Sequence, residues 1–171
     1  MRNAILPTLA RARPQRILFV GVRGYTRGYA EVFRGLPVEF WTSDIDPEAA
    51  EHGSPSRHVT EDLRDINVAF PPGFFDAVMI NGVLGWGVDN SEDILRALAA
   101  TAEVLGSDGL LLLGWNSDRV CDPDAMPGIE RFKPVGFAGL PHRKSFSDVT
   151  HVYAWYRKGG QGGSDATTAS G

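Results

Sequence analysis

One stretch near the start of the chain, residues 16–28, most constrains the fold. It opens with a continuous apolar run at residues 17–20 and then breaks into glycines at Gly21, Gly24 and Gly28. The apolar run predicts a strand buried on both faces, as in the middle of a parallel sheet. The glycines would let the chain bend tightly and let a ligand approach the backbone. Residues 26–34 are predicted to be helical, which would make this region a strand–turn–helix unit.

The following segments alternate between predicted strands and helices. Strands are predicted at residues 37–43, 58–59, 75–81 and 110–115. Helices are predicted to start at Pro47, with Asp46 as a suitable N-cap, and at Asn90 or Ser91. The second of these carries a helical stripe of apolar residues and is expected to stop at Gly106.

This alternation predicts an α/β fold with a doubly wound, mostly parallel sheet. Residues 135–137 and 149–157 also read as strands, with a helical turn expected near residues 129–132 ahead of them. No helical stripe separates these last two strands, so we expect them to pair antiparallel. The complete sheet would have about seven strands.

The chain has 171 residues, which suits one domain with a proper core. We predict that residues 1–158 form this domain, with residues 1–14 as a covering segment that is helical in part. Residues 159–171 are mostly Gly, Ser, Thr and Ala with no large apolar side chain, so we expect a disordered tail outside the fold.

The charge pattern limits the classes of partner. The net charge is −4 with no long basic run, so the sequence offers no support for a nucleic-acid partner. No apolar run approaches membrane-spanning length. The single cysteine, Cys121, cannot form an internal disulfide, which favours a reducing compartment and predicts a cytoplasmic location.

In a sheet of this kind a ligand binds beyond the carboxyl ends of the strands, at the switch point of the topology. Asp44 lies there, about twenty residues past the glycine bend, where a carboxylate accepts hydrogen bonds from both hydroxyls of a ribose. Asp46 is the competing acid, although its place before Pro47 suits a helix cap. Two alternatives stay open: both acids are solvated caps, and the glycine bend is a tight turn without a ligand.

The spacing of the glycines bears on the cofactor. A dinucleotide fingerprint needs glycine at the second position of G-x-G-x-x-G, where Arg23 stands. A nicotinamide-dependent reductase is therefore a weak third alternative. Asp118, Asp122 and Asp124 lie in a Pro-containing loop and are expected to be solvated or capping residues, so no metal site is predicted.

With these residues in place, the sequence resembles the class I S-adenosylmethionine-dependent methyltransferases. Residues 17–28 are similar to the family's first cofactor-binding motif, and residues 41–47 are similar to the second, whose acid holds the ribose. Residues 61–63 resemble the adenine-contacting segment, and residues 75–84 and 105–113 resemble the segments of the fourth and fifth strands. The resemblance implies a Rossmann-like methyltransferase fold with S-adenosylmethionine as cofactor.

The resemblance also implies the site residues. Those expected to contact the cofactor are Gly21, Arg23, Gly24, Asp44, Ile45, Asp62, Leu63, Asn81 and Gly82. Those expected at the substrate are Trp86, Asn116 and His142, and no catalytic residue is assigned. Two alternatives stay open here: Trp86 packs in the core, and His142 is an ordinary surface histidine in a polar loop. Arg23 departs from the glycine usual in the family, and it either clashes with the methionine part of the cofactor or pairs with its carboxylate.

The function implied by the resemblance is methyl transfer to an oxygen or nitrogen of a small molecule. The alternative is a non-catalytic protein on the same fold, either a cofactor-binding sensor or a partner subunit. The chain starts only about fifteen residues before the first strand, so either the active site is open, a partner chain such as a second copy or another subunit covers the substrate, or activity has been lost.

Overall fold

The computed structural model describes residues 1–159, so the predicted disordered tail lies, except for Gly159, outside the described residues. Three α-helices occur in this part of the chain: α1 (Ile5–Ala12), α2 (Ile66–Ala69) and α3 (Ser91–Val104). The strands are β1 (Arg16–Val20), β2 (Glu39–Asp44), β3 (His58–Thr60), β4 (Phe75–Asn81), β5 (Leu105–Asn116), β6 (Phe132–Pro134), β7 (Arg143–Lys144) and β8 (His151–Lys158).

The strands form one sheet in the order β3-β2-β1-β4-β5-β8-β6, with β7 paired to β8. The first five strands of this order are parallel, and β8 runs antiparallel to β5. The chain moves outward from β1 to β3 and then returns to place β4 on the other side of β1. The switch point therefore lies between the carboxyl ends of β1 and β4. The predicted mostly parallel sheet with an antiparallel end is confirmed.

Helices cover both faces of the sheet because the apolar strands alternate their side chains between the two faces. Ile17 and Phe19 of β1 point into the core beneath α1, where they pack with Leu6 and Leu9. Leu18 and Val20 point to the opposite face, against Leu98 and the other apolar residues of α3. The covering helix predicted within residues 1–14 is α1.

The helix predicted at residues 26–34 is wrong. Two short 3₁₀ turns, Gly24–Thr26 and Ala30–Phe33, take its place. The Thr26 hydroxyl accepts a hydrogen bond from the Arg23 backbone N–H (3.1 Å) and donates to the Arg23 carbonyl (2.8 Å), which favours a local turn over a helix. Gly28 has φ +83°, a left-handed conformation that ends any right-handed helix.

Other boundaries shift by a few residues. Asp46 caps the 3₁₀ turn Pro47–His52 by accepting from the Glu48 backbone N–H (2.9 Å), as predicted. Asn90 caps α3 in the same way. The strand predicted at residues 135–137 lies earlier, at β6, because the chain turns at Ala138 and Gly139 with positive φ. The two-residue strand β7 was not predicted.

Two features of residues 1–159 bear on function. No helix among them is long and apolar enough to cross a membrane. Likewise, no group of three or more His, Cys, Asp or Glu side chains in that range is placed to hold a metal ion. Asp122 and Asp124 instead form ion pairs with Arg143.

Candidate functional site

A crevice opens at the switch point, beyond the carboxyl ends of β1, β2, β3 and β4. Seven of the nine residues expected at the cofactor line it: Gly21, Arg23, Asp44, Ile45, Asp62, Leu63 and Gly82. These residues come from four separate segments, which are brought together because parallel strands end at the same edge of the sheet. The free cavity between them has a volume of about 70 Å³.

Gly21 forms the floor of the bend after β1, and packing against the neighbouring strand requires a glycine there. Its φ is +96°, and an added Cβ would lie 1.9 Å from the backbone carbonyl oxygen of Asn81. Its N–H donates to the Ser43 carbonyl (3.1 Å). The Gly21 backbone is therefore hydrogen-bonded to β2 and packed closely against the end of β4. These two contacts fix the position of the crevice floor.

Asp44 ends β2 and is only 4% exposed. One carboxylate oxygen accepts from the Asp46 backbone N–H (3.0 Å), and the other accepts from Nη1 of Arg23 (2.6 Å). The same Arg23 nitrogen donates to the Val22 carbonyl (2.6 Å). The acid expected to bind a ribose thus faces the crevice, but the Arg23 side chain engages one of its oxygens.

Asp62 is engaged even more fully. Its carboxylate accepts from Nε of Arg64 at 2.9 and 3.0 Å and caps the following turn by accepting from the Arg64 backbone N–H (2.9 Å). Arg64 also pairs with Asp93 at the start of α3 (2.9 Å). The hydrogen bond to Arg64 is the main reason why the pKa of Asp62 lies below its ordinary value. In this structure Asp62 is a capping residue whose carboxylate is held in an ion-pair network.

No family model matches this sequence, and no curated protein is significantly similar to it. Solved structures do match. The N-methyltransferase NodS of Bradyrhizobium japonicum WM9 has 14% identity and a TM-score of 0.67 over 90% of this chain and 91% of its own. A TehB-like SAM-dependent methyltransferase of Corynebacterium glutamicum has 19% identity and a TM-score of 0.66, with coverages of 91% and 89%. A predicted O-methyltransferase of Agrobacterium tumefaciens has 17% identity and a TM-score of 0.64, with coverages of 94% and 82%.

The chain has the class I methyltransferase fold. The match extends over nearly the whole chain in each case, so the resemblance inferred from the sequence is confirmed at the level of the fold.

Two of the nine residues expected to contact the cofactor, Gly24 and Asn81, do not line the crevice of this methyltransferase fold. Gly24 lies in the 3₁₀ turn after the bend, beside His52. The Asn81 side chain is buried and points across the sheet, where its Oδ1 lies 3.1 Å from Nε2 of His151 on β8. Asn81 therefore supports the crevice floor through its backbone and connects β4 to the antiparallel end of the sheet through its side chain.

Two of the three expected substrate residues lie together at this edge of the methyltransferase fold. Trp86 lines the crevice, is 52% exposed, and donates through its indole N–H to Oδ1 of Asn116 (3.5 Å). Nδ1 of His151 lies 3.4 Å from the same oxygen. The guanidinium of Arg119 covers one face of the Trp86 ring at 3.5 Å from its centroid. Trp86 thus lines the crevice while Arg119 packs on its ring.

The structure does not bring His142 to the crevice. Its Nδ1 lies 2.7 Å from the Trp155 carbonyl oxygen, and its ring packs edge-on against Tyr156. This position is next to β7, separated from β4 by β5 and β8. The sequence placed His142 in a polar loop, but that loop folds back along β8 away from the switch point.

Sequence reasoning missed Arg64 and Tyr25. Arg64 lines the crevice and is held by two acids, a role that the alternating charges of residues 61–65 could have suggested. Tyr25 is 67% exposed, and its hydroxyl lies 3.8 Å from where a Cβ of Gly82 would be. An aromatic residue so close to the glycine bend was the available signal.

The crevice has a hydrogen-bond acceptor and an apolar surface that suit a nucleoside, but its free volume is too small to hold one. Asp44 is a buried carboxylate that can accept from two hydroxyls, and the Trp86 ring supplies an apolar surface. Pockets for small ligands have volumes of about 300–1,000 Å³, several times the space present here. Arg23 is the side chain that both lines the cavity and engages Asp44. A nucleoside therefore requires Arg23 to move.

Proposed function

We propose that this chain binds S-adenosylmethionine in the crevice and transfers its methyl group to an oxygen or nitrogen of a small molecule. The observation that carries the proposal is the placement of Asp44. A carboxylate that is almost wholly buried ends the second strand and faces the glycine bend at the switch point of a methyltransferase fold. NodS, whose fold this chain shares, has been crystallised with S-adenosyl-L-homocysteine.

Each part of the crevice has a task in this proposal. Asp44 accepts hydrogen bonds from the ribose hydroxyls after Arg23 releases it. Ile45 and Leu63 provide apolar walls for a flat base, and the exposed Trp86 ring flanks the position of a second reactant. The contacts of Gly21 with β2 and β4 hold these groups in fixed positions relative to one another.

Methyl transfer asks little of acid–base side chains. S-adenosylmethionine, held by Asp44 and the apolar walls of the crevice, would supply a methyl group on a sulfonium, whose sulfur would keep the electron pair of the carbon–sulfur bond. The chain's contribution is to hold the two reactants in line and to exclude water. No side chain in the crevice is assigned as a general base, and the acceptor's proton passes to solvent.

A non-catalytic cofactor-binding role is the second candidate, and the ion pair between Arg23 and Asp44 favours it. A crevice that is closed by its own side chain binds its ligand less tightly than an open one, because the internal contact must break first. Such a protein would serve as a sensor or as the partner subunit of another chain.

Calorimetric titration with S-adenosylhomocysteine tests the binding step. We expect binding to the wild-type chain, and Asp44→Ala should weaken it by about 1–3 kcal/mol, the range for losing hydrogen bonds to a charged group. Asp46→Ala is the matched control: it removes an acid two residues away that only caps a turn, so the affinity should not change. No binding to any of the three proteins would refute both candidates. Equal weakening by both variants would refute the assignment of Asp44.

Turnover separates the two candidates. If the wild-type chain binds S-adenosylhomocysteine and also methylates one compound of an acceptor panel, it is an enzyme. The methylated product is detected by mass spectrometry. Binding without any product across the panel supports the sensor or subunit.

We further propose that residues 1–158 act as one domain. We also propose that this domain acts in the cytoplasm, because the single, exposed Cys121 is compatible with a reducing compartment.

A further inference from the structure

A second cavity lies apart from the crevice, between the start of α1 and the segment that leads through β7 toward β8. We call it the α1 pocket, and its volume is about 330 Å³. Its walls are mainly apolar and include Ile5, Leu140, Phe146 and Trp155. A concave, apolar cavity of this size falls in the range that holds small organic ligands.

The charged side chains that line the α1 pocket are all cationic. Arg2 and Lys144 line it, whereas no Asp or Glu does within the described residues. Neither cation forms an ion pair with any acid in residues 1–159. An apolar cavity with two uncompensated cations is complementary to an amphipathic anion, whose body enters the cavity and whose acid group meets the cations.

A continuous series of ring contacts joins the α1 pocket to the crevice. The Phe146 ring lies 6.3 Å from that of Tyr153, and the Tyr153 ring lies 4.6 Å from that of His151. His151 in turn reaches Asn81, the last residue of β4, at the crevice floor. These contacts connect the α1 pocket, whose Trp155 lies midway along β8, to the end of β4.

From this geometry we infer that the α1 pocket is a second ligand site, which takes a small organic acid with an aromatic or branched apolar body. This site does not depend on the proposed function, because none of the residues that line it lines the crevice.

The probe for this inference is 2-naphthoate, compared with its neutral amide, 2-naphthamide, by isothermal titration calorimetry on the full chain. We expect the acid to bind about tenfold more tightly than the amide, because only the acid meets the two cations. The double variant Arg2→Gln/Lys144→Gln should abolish this preference and leave the affinity for the amide unchanged. Lys133→Gln, a lysine that does not line the α1 pocket, is the matched control.

A second variant tests the location. Ala4 lines the pocket and is exposed, so Ala4→Trp should fill the cavity without disturbing the core, and weaken naphthoate binding by at least about tenfold. Ala4→Ser should bind as the wild type does. Absence of naphthoate binding to the wild type, equal affinity for acid and amide, or binding that ignores Ala4→Trp would each overturn the inference.

Titration of the same proteins with S-adenosylhomocysteine keeps the two proposals apart. Ala4→Trp should retain the wild-type affinity for S-adenosylhomocysteine, because the crevice is untouched. Naphthoate binding without any S-adenosylhomocysteine binding would support the α1 pocket and refute the proposed function. The reverse result would refute the α1 pocket alone.

Discussion

Replacing Arg23 by alanine should tighten the binding of S-adenosylhomocysteine. In the ligand-free chain, Nη1 of Arg23 lies 2.6 Å from a carboxylate oxygen of Asp44. A ribose needs that oxygen, so the cofactor and the Arg23 side chain compete for one acceptor. Arg23→Ala removes the competitor and enlarges the 70 Å³ cavity at the same time.

The size of the effect follows from the exposure of the two partners. A hydrogen bond to a charged group contributes about 1.5–3 kcal/mol when it is well shielded. The Arg23 side chain is 48% exposed, so solvent screening reduces the contribution to about 1 kcal/mol. Breaking this contact is part of the cost of binding in the wild type. Its removal should therefore raise the affinity by about fivefold.

The same substitution should destabilise the ligand-free chain. Asp44 is 4% exposed, so removal of Arg23 leaves a buried carboxylate oxygen without its ion-pair partner. The expected loss is about 1–3 kcal/mol of unfolding free energy, with a fall in Tm of roughly 2–4 °C for each kcal/mol. Saturating S-adenosylhomocysteine should restore most of this loss, because the ribose hydroxyls take over the oxygen.

Calorimetry and thermal unfolding of three proteins check this reasoning. Arg27→Ala is the control, since Arg27 lies in the same segment but its guanidinium reaches the Glu51 carbonyl and His52 rather than the crevice. Wild type and Arg27→Ala should bind equally, and Arg23→Ala should bind more tightly. Weaker binding by Arg23→Ala would refute the competition and would show instead that Arg23 contacts the cofactor.

Three further predictions concern the scaffold of the crevice. Gly21→Ala should lower the free energy of unfolding, measured by chemical denaturation, by more than about 2 kcal/mol. Gly35→Ala is the control and should lower it by only about 1 kcal/mol, because Gly35 also has a positive φ but the structure describes no atom within 4 Å of its added Cβ. Arg64→Ala should return the pKa of Asp62 toward its ordinary value in an NMR titration. Because the wild-type pKa is lowered, the contribution of Asp62 to stability is present above about pH 4 and is lost on further acidification. The variant should therefore lose less unfolding free energy than the wild type over the same acidic range. Burial lowers the pKa of His151, so its ring should stay neutral to a more acidic pH than the ring of an exposed histidine. Protonation of this ring below about pH 6.5 should therefore destabilise the fold. An NMR titration midpoint at or above the ordinary value for histidine would contradict this.

The parts of the fold that were predictable follow from periodicity and from strong local signals. Residues 75–81 were predicted as a strand and form β4 with the same ends, because an apolar run bounded by a Pro-Gly loop and a glycine has few alternatives. Asp46 and Asn90 were predicted caps and both cap. The position of Asp44 at the crevice followed from the order of the strands alone.

The rest depended on contacts between distant residues. The segment after β1 carries helix-forming residues, yet the Thr26 side chain and the left-handed Gly28 divide it into 3₁₀ turns. The pairing of Arg23 with Asp44 joins residues 21 positions apart, and no local pattern specifies it. Local propensity likewise gives no indication that the loop containing His142 folds back along β8.

The outer side of β8 shows how the end of the sheet is protected. This strand is eight residues long, and an open edge of that length is a template on which strands of other molecules add. Two short strands share it: β6 pairs with residues 156–158 and β7 with residues 153 and 154. At the far end of the sheet, β3 has only three residues. Within residues 1–159, neither margin offers a long, continuous ladder of free amides, so this part of the chain resists edge-to-edge aggregation while the carboxyl edge of its sheet stays accessible to ligands.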